Sequence, residues 1–315
     1  MKIVLLDSAT LGADLDLSPL GKFGEVVAYP STEPGLVRER IEDADFVIVN
    51  KVKLNESTVG DNSTLKLVCI AATGFDNVDL GFMKSKGIGV CNVVGYSTDS
   101  VAQLTVSMVL SLATHLPEYN SFVEEGKYSE GNVANKLTPV YHEIAGKTWG
   151  IVGLGNIGKK VAAVAEAFGC KVIANKRTPD PEYNCTDIDT LCRVADIITI
   201  HTPLNEGTRN LITKERISAM KKDAIVVNVA RGAVVDEAAL CEAVKNGDIG
   251  GIGVDVYSQE PFKADSPYYK VKDLANVCLT PHMAWGSYEA RVRCLSDMIK
   301  SMEAFIAGEK RSRLV

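Results

Sequence analysis

Short apolar runs alternate with helical patterns along this whole chain, and that alternation constrains the fold more than any other feature. The runs in the first part are "KIVLLD", "EVVAY", "ADFVIVN", "LKLVCIA" and "IGVCNV". In the second part they are "TWGIVG", "KVIANK", "ADIITIHT", "DAIVVNVA", "GGIGVDV" and "NVCLTPH". Each is continuously apolar rather than alternating, which is the pattern of strands covered on both faces. Helical stretches such as "EPGLVRERIEDA" and "TKERISAMKKD" lie between them. Strands separated by helices need crossover connections and form open, doubly wound parallel sheets. The expected class is therefore α/β, in two consecutive sets. A long helical pattern, Asp99 to Leu116, and a loop-rich polar span, about Pro117 to Gly146, separate the sets. A last helix, about Gly286 to Gly308, follows the final run and can return to the first set.

Composition excludes several classes. A net charge of −6 with no long Lys/Arg run argues against a nucleic-acid surface. No apolar run approaches the roughly 18 residues of a membrane helix. Met1–Leu6 is too short, and meets Asp7 too soon, for an export signal. Eight cysteines include no C-x-x-C pair and sit mostly in apolar patterns, where Cys acts as a small hydrophobe. The expected setting is a reducing cytosol, with no metal.

The stretch "GIVGLGNIGKKVAAVAEAFG" places Gly153, Gly155 and Gly158 between a strand and an apolar-striped helix. In that context the spacing points to a dinucleotide. Gly153 permits the tight turn, Gly155 admits the pyrophosphate, and Gly158 lets helix and strand pack closely. The N–H groups of Asn156 and Ile157 then face the phosphates. The next strand ends in Asn175, Lys176, Arg177 and Thr178, with no carboxylate until Asp180. Two cations and a hydroxyl suit a 2′-phosphate better than a bare ribose diol, so NADP(H) is favoured and NAD(H) remains possible.

Three further strand ends carry chemistry. Arg231 ends "DAIVVNVA", Asp255 and Glu260 follow "GIGV", and His282 follows "NVCLTP". A charge at the end of a buried strand is costly unless an anion meets it, so Arg231 implies an anionic ligand. Ligands bind at the carboxyl ends of strands in such sheets, which suits His282 for acid/base work with an acid to orient it. His201 ends the run "ADIITIHT" on the same side and is expected to line the cofactor; His115 and His142 read as structural. Gly232 is read as allowing a tight turn, and Asp236 as capping the helix from about Glu237.

The pieces "GLGNIG", "HTPLNEGTRNLI", "NVARGAVVDEAAL", "GVDVYSQEP" and "TPHMAW" resemble the D-isomer-specific 2-hydroxyacid dehydrogenases over about Ala71 to Ile306. Within that family, "ATGFDNVDL", "VGYSTDSVAQLT" and the "AW" after His282 look most like glycerate dehydrogenases and hydroxypyruvate or glyoxylate reductases. The resemblance implies a flavodoxin-like substrate lobe, 1–98 with 287–315, and a Rossmann nucleotide-binding lobe, 99–286. It implies an active-site cleft between them and a homodimer built through the nucleotide lobes. It assigns Arg231, Glu260 and His282 as catalytic. Asp255 corresponds to a residue holding the nicotinamide carboxamide. Thr202, Pro203 and Val229 correspond to cofactor-lining positions, and Val101, Thr208 and Ala230 join them. Thr73, Gly74 and Phe75 correspond to a loop gripping the substrate carboxylate, and Asn50 and Lys51 to a second substrate-facing loop. Trp285 adds bulk suited to a small polar acid. Lys176 departs from the Asp often found in NAD-preferring members.

The expected reaction is reduction of a small 2-oxo acid, hydroxypyruvate or glyoxylate, by hydride from NAD(P)H. Other D-2-hydroxyacid dehydrogenases, of D-lactate or phosphoglycerate type, are the alternatives within enzymes; no regulatory domain follows in this sequence. A nucleotide-sensing co-repressor-like protein is the alternative outside them.

Overall fold

The computed structural model describes all 315 residues, which divide into two compact units. The first comprises Met1–Ser97 and Gly286–Val315, the second Thr98–Trp285. In the first lie β1 (Lys2–Leu5), β2 (Glu25–Ala28), β3 (Phe46–Val49), β4 (Leu67–Ile70) and β5 (Gly89–Cys91). They form a wholly parallel sheet in the order β2-β1-β3-β4-β5, the flavodoxin-like order. β3 and β4 are buried at every position, as their continuous apolar runs require.

The helix Tyr288–Ile306 belongs to this unit and explains why its sequence is split. Phe305 meets Phe46 edge to face at 5.7 Å between ring centroids. Arg291 makes a two-pronged ion pair with Asp14 and donates to the Leu11 carbonyl. Beyond the helix, Arg313 bridges Cys91 antiparallel, and the Leu314 N–H donates to Val90 O at 2.8 Å, covering the β5 edge.

The second unit holds β6 (Thr148–Val152), β7 (Lys171–Asn175), β8 (Ile197–Ile200), β9 (Ile225–Asn228), β10 (Gly251–Val254) and β11 (Val277–Leu279). All six are parallel, in the order β11-β10-β9-β8-β6-β7. Strand order reverses between β6 and β8, so the crevice for ligands opens beyond the carboxyl ends of those two strands. Trp149 in β6 is fully buried and its indole N–H donates to Thr199 at 3.1 Å, so its one polar atom is satisfied in the core.

The connection between the sets differs from the expectation. The long helix covers Thr98–Ala113 and stops short of Leu116, and the span taken for loop contains helices Leu116–Glu124 and Lys127–Glu130. His115 breaks the first helix by adopting a left-handed conformation, φ 52°. Pro117 then sits in the first turn of the next helix, where its missing N–H costs nothing. This helix buries no residue completely, so it has no buried stripe for a periodic pattern to show.

Candidate active site

The glycine turn follows β6 at the switch point. Gly153 has φ 95°, a region closed to most side chains. A Cβ at Gly158 would collide with the carbonyl of Gly153, so close packing demands glycine there. A Cβ at Gly155 would meet nothing within 4 Å. That open space lies at the N-terminus of helix Asn156–Ala167, which no side chain caps. The residues thus fit a pyrophosphate: uncapped N–H groups at a 12-residue helix end, with room in front of them.

β7 delivers Lys176, Arg177 and Thr178, all exposed, to the same edge. The Asn175 amide is engaged by the Thr186 carbonyl at 3.0 Å and shapes the loop. Lys176 is partnered by Asp180 at 3.3 Å, and Lys159, one turn into the glycine-loop helix, reaches the same carboxylate oxygen at 2.8 Å. Hydrogen bonding, first from Lys159 and less from Lys176, holds the Asp180 carboxyl down at about 2. Lys159 escaped the sequence reading because it lies 17 residues before Lys176, outside any strand-end pattern; Asp180, noted there as the first carboxylate past the strand, is the partner of both lysines.

His201, Thr202 and Pro203 follow β8. Both ring nitrogens of His201 are buried without a partner, and burial drives its pKa down to about 3, so the imidazole stays neutral. The Thr208 hydroxyl donates to the Pro203 carbonyl at 2.6 Å and closes the turn between them. Val101 and Val229 are buried in this unit's core, and Ala230 packs against the core partly buried.

Three strand ends then bring charge together. Arg231, just past β9, is half-buried; Asn228 fixes its backbone by donating to its carbonyl at 3.0 Å. Its own guanidinium donates to the Ala230 carbonyl at 2.8 Å. Past β11, His282 Nδ1 lies 2.6 Å from Glu260 Oε2. The other Glu260 oxygen accepts the Tyr257 N–H at 3.0 Å, which anchors the carboxylate to its loop. His282 itself has φ 53°, an uncommon conformation for histidine and one that clusters at functional sites.

Asp255 is fully buried beneath that turn. It accepts from the Thr280 hydroxyl at 2.6 Å and the N–H groups of Met283 and Ala284 at 2.8 and 3.0 Å. Burial pushes its carboxyl up, against the pull of these donors. Its visible work is to hold the turn that presents His282. Trp285 donates its indole N–H to the His282 carbonyl at 3.0 Å and braces the same turn.

The remaining substrate-facing candidates belong to the first unit. Asp7, at the end of β1, is nearly buried and takes the N–H groups of Asn50, Lys51 and Val52 at 2.6–3.1 Å. The Asn50 amide donates to Thr10. Asp7 was missed, although an acid ending an apolar run was the available signal. Thr73 donates its hydroxyl to Val93 O, leaving the N–H groups of Thr73, Gly74 and Phe75 without an acceptor in the chain.

Gly232 corrects one expectation. It does not need an unusual backbone angle; a Cβ there would collide with the peptide joining Tyr257 and Ser258. Asp236 does cap helix Glu237–Asn246, accepting the Ala239 N–H at 3.0 Å.

Comparison with known proteins fits this geometry. Residues 106–284 match the family described as D-isomer specific 2-hydroxyacid dehydrogenase, NAD binding domain. A glycerate dehydrogenase of Methylorubrum extorquens is 37% identical over 312 residues, covering 99% of this chain and 98% of that one. A hydroxypyruvate reductase of Blautia hydrogenotrophica is 34% identical over 317 residues, covering 98% of each. An acyclic imino acid reductase, solved in complex with NADPH and D-Arg, superposes with a TM-score of 0.88 at 28% identity over 100% of both chains.

Proposed function

The chain belongs to the D-isomer specific 2-hydroxyacid dehydrogenase family, and on that premise we propose that it reduces hydroxypyruvate or glyoxylate to D-glycerate or glycolate, preferring NADP(H). The observation that carries this reading is the Glu260–His282 pair, set at a strand end of the unit that also carries the glycine turn and Arg231.

A nicotinamide dinucleotide, when bound, would supply the hydride. Gly153, Gly155 and Gly158, with the N–H groups of Asn156 and Ile157, would hold its pyrophosphate. Arg231 binds the substrate carboxylate and polarises the carbonyl, a task for a planar, permanently charged donor fork. In the first unit, Thr73, Gly74 and Phe75 offer backbone N–H groups suited to a carboxylate. His282 faces Glu260 through Nδ1, which leaves Nε2 to give its proton to the carbonyl oxygen as negative charge develops there. Glu260 fixes the ring's orientation. Arg231 and the imidazolium together provide the positive field this step needs.

The NADP(H) preference is supported by the exposed Lys176 and Arg177 beside the Thr178 hydroxyl, where the one carboxylate among the strand-end residues, Asp180, is already paired with Lys159 and Lys176. Oxidation of NADPH and NADH should be followed with hydroxypyruvate, glyoxylate and pyruvate. NADPH is expected to exceed NADH in kcat/KM by about tenfold, and Lys176→Asp to erase that preference. Equal efficiency with the two cofactors would sink the electrostatic reading. Inertness toward every 2-oxo acid would sink the enzymatic one and favour a nucleotide sensor.

A homodimer is part of the same reading. Leu116, Val123, Tyr128, Val133, Leu137 and Val140 are all exposed apolar side chains within one short stretch, which suits a face covered by a second copy. Light scattering is expected to give twice the chain mass of 33.9 kDa; a monomer at micromolar concentration would contradict it. No helix is long and apolar enough to cross a membrane, and eight free thiols suit the reducing cytosol proposed as its setting.

A further inference from the structure

Glu237 opens helix Glu237–Asn246 and is half-buried. Its Oε1 accepts the Ser258 N–H at 2.8 Å. One peptide earlier in the same loop, the Tyr257 N–H donates to Glu260 at 3.0 Å. Two carboxylates from separate segments therefore hold adjacent N–H groups. Gly232, directly after Arg231, is buried against that same peptide: a Cβ there would collide with Ser258 N and lie 2.7 Å from Glu237 Oε1.

We propose that Glu237 is a positioning residue for the reduction. It ties the segment carrying Arg231 to the loop carrying Glu260, and it sets a second negative charge behind the Glu260–His282 pair. The inference rests on the catalytic reading of that pair.

A carboxylate is a costly choice at this place. Burial pushes the Glu237 carboxyl up, the Ser258 hydrogen bonds pull it back, and the charge on Glu260 pushes it up again. An amide would accept from Ser258 without the desolvation penalty of an ion. What the ion adds is charge. Glu260 faces it from the loop, Tyr268 from the turn Pro267–Lys270, and Cys241 from its own helix, with Asp236 as the preceding cap. Burial keeps Tyr257, Tyr268 and Cys241 neutral, the last pushed up to about 12. The charge of Glu237 therefore acts chiefly on Glu260, and through it on the proton that the pair shares.

Two variants separate charge from scaffold. Glu237→Gln keeps an acceptor for Ser258 and removes the charge. The alkaline limb of its kcat–pH profile is expected to move down by roughly half a unit, because the pair gives up its proton more readily. Glu237→Ala also loses the acceptor, and kcat is expected to fall about tenfold further, with the cofactor KM within about twofold of wild type. A limb that stays in place in both variants overturns the proposal, even if both melt at lower temperature, because a purely structural role moves only stability. Retained kcat in His282→Asn overturns instead the reading on which it rests.

Discussion

His282→Asn is expected to lower kcat about a thousandfold while leaving NADPH affinity within about twofold of wild type. The choice of asparagine follows from the backbone. His282 sits at φ 53°, and asparagine tolerates that region better than nearly any other non-glycine residue. Alanine would mix the loss of the imidazole with backbone strain. With asparagine, the bracing around the turn is kept: Asp255 still takes the N–H groups of Met283 and Ala284, and Trp285 still donates to the carbonyl of residue 282. What disappears is the ring held 2.6 Å from Glu260 and the proton it delivers. Stopped-flow reduction and cofactor fluorescence titration measure the two quantities separately. Turnover kept at the wild-type level, with only cofactor affinity lost, would remove the imidazole from the proton-transfer step.

Arg231→Met is expected to lower kcat/KM by about a thousandfold, and Arg231→Lys to recover little of it. The guanidinium is asked to do two things at once: anchor a carboxylate with parallel hydrogen bonds and polarise the adjacent carbonyl. An ammonium is a point charge on a flexible stem and matches neither geometry. The loss should divide between a higher substrate KM and a lower kcat. Thermal unfolding should stay close to wild type, since Asn228 still holds the turn at the Arg231 carbonyl and the Ala230 N–H when the guanidinium's bond to the Ala230 carbonyl is lost. A loss confined to the melting temperature, with wild-type kcat/KM, would reduce Arg231 to a structural role.

Much of this was legible in the residues. Both parallel sheets follow from continuous apolar runs, because a strand covered on two faces has no polar side to show. The glycine turn was legible because Gly153 and Gly158 answer to backbone geometry alone. The helix after His115 was not, because it buries none of its residues completely and its start depends on one left-handed residue. Gly232 was noticed for the wrong reason: its neighbour across the gap, the Tyr257–Ser258 peptide, is 25 residues away in sequence. Asp7, Lys159 and Glu237 were missed for a related cause. Each acts on a partner supplied by another segment, and periodicity records only what a segment does with its own faces.

The split first unit has a consequence for the order in which the chain is made. Thr98–Trp285 is continuous, so its six-stranded sheet can close as soon as those residues leave the ribosome. The five-stranded sheet is synthesised first yet completed last. Until Gly286–Val315 emerges, Phe46 lacks Phe305, Asp14 lacks Arg291, and the β5 edge lacks the Arg313–Leu314 segment. The nascent polypeptide therefore carries an open sheet edge through most of its translation, and that interval is when chaperone capture or self-association would strike.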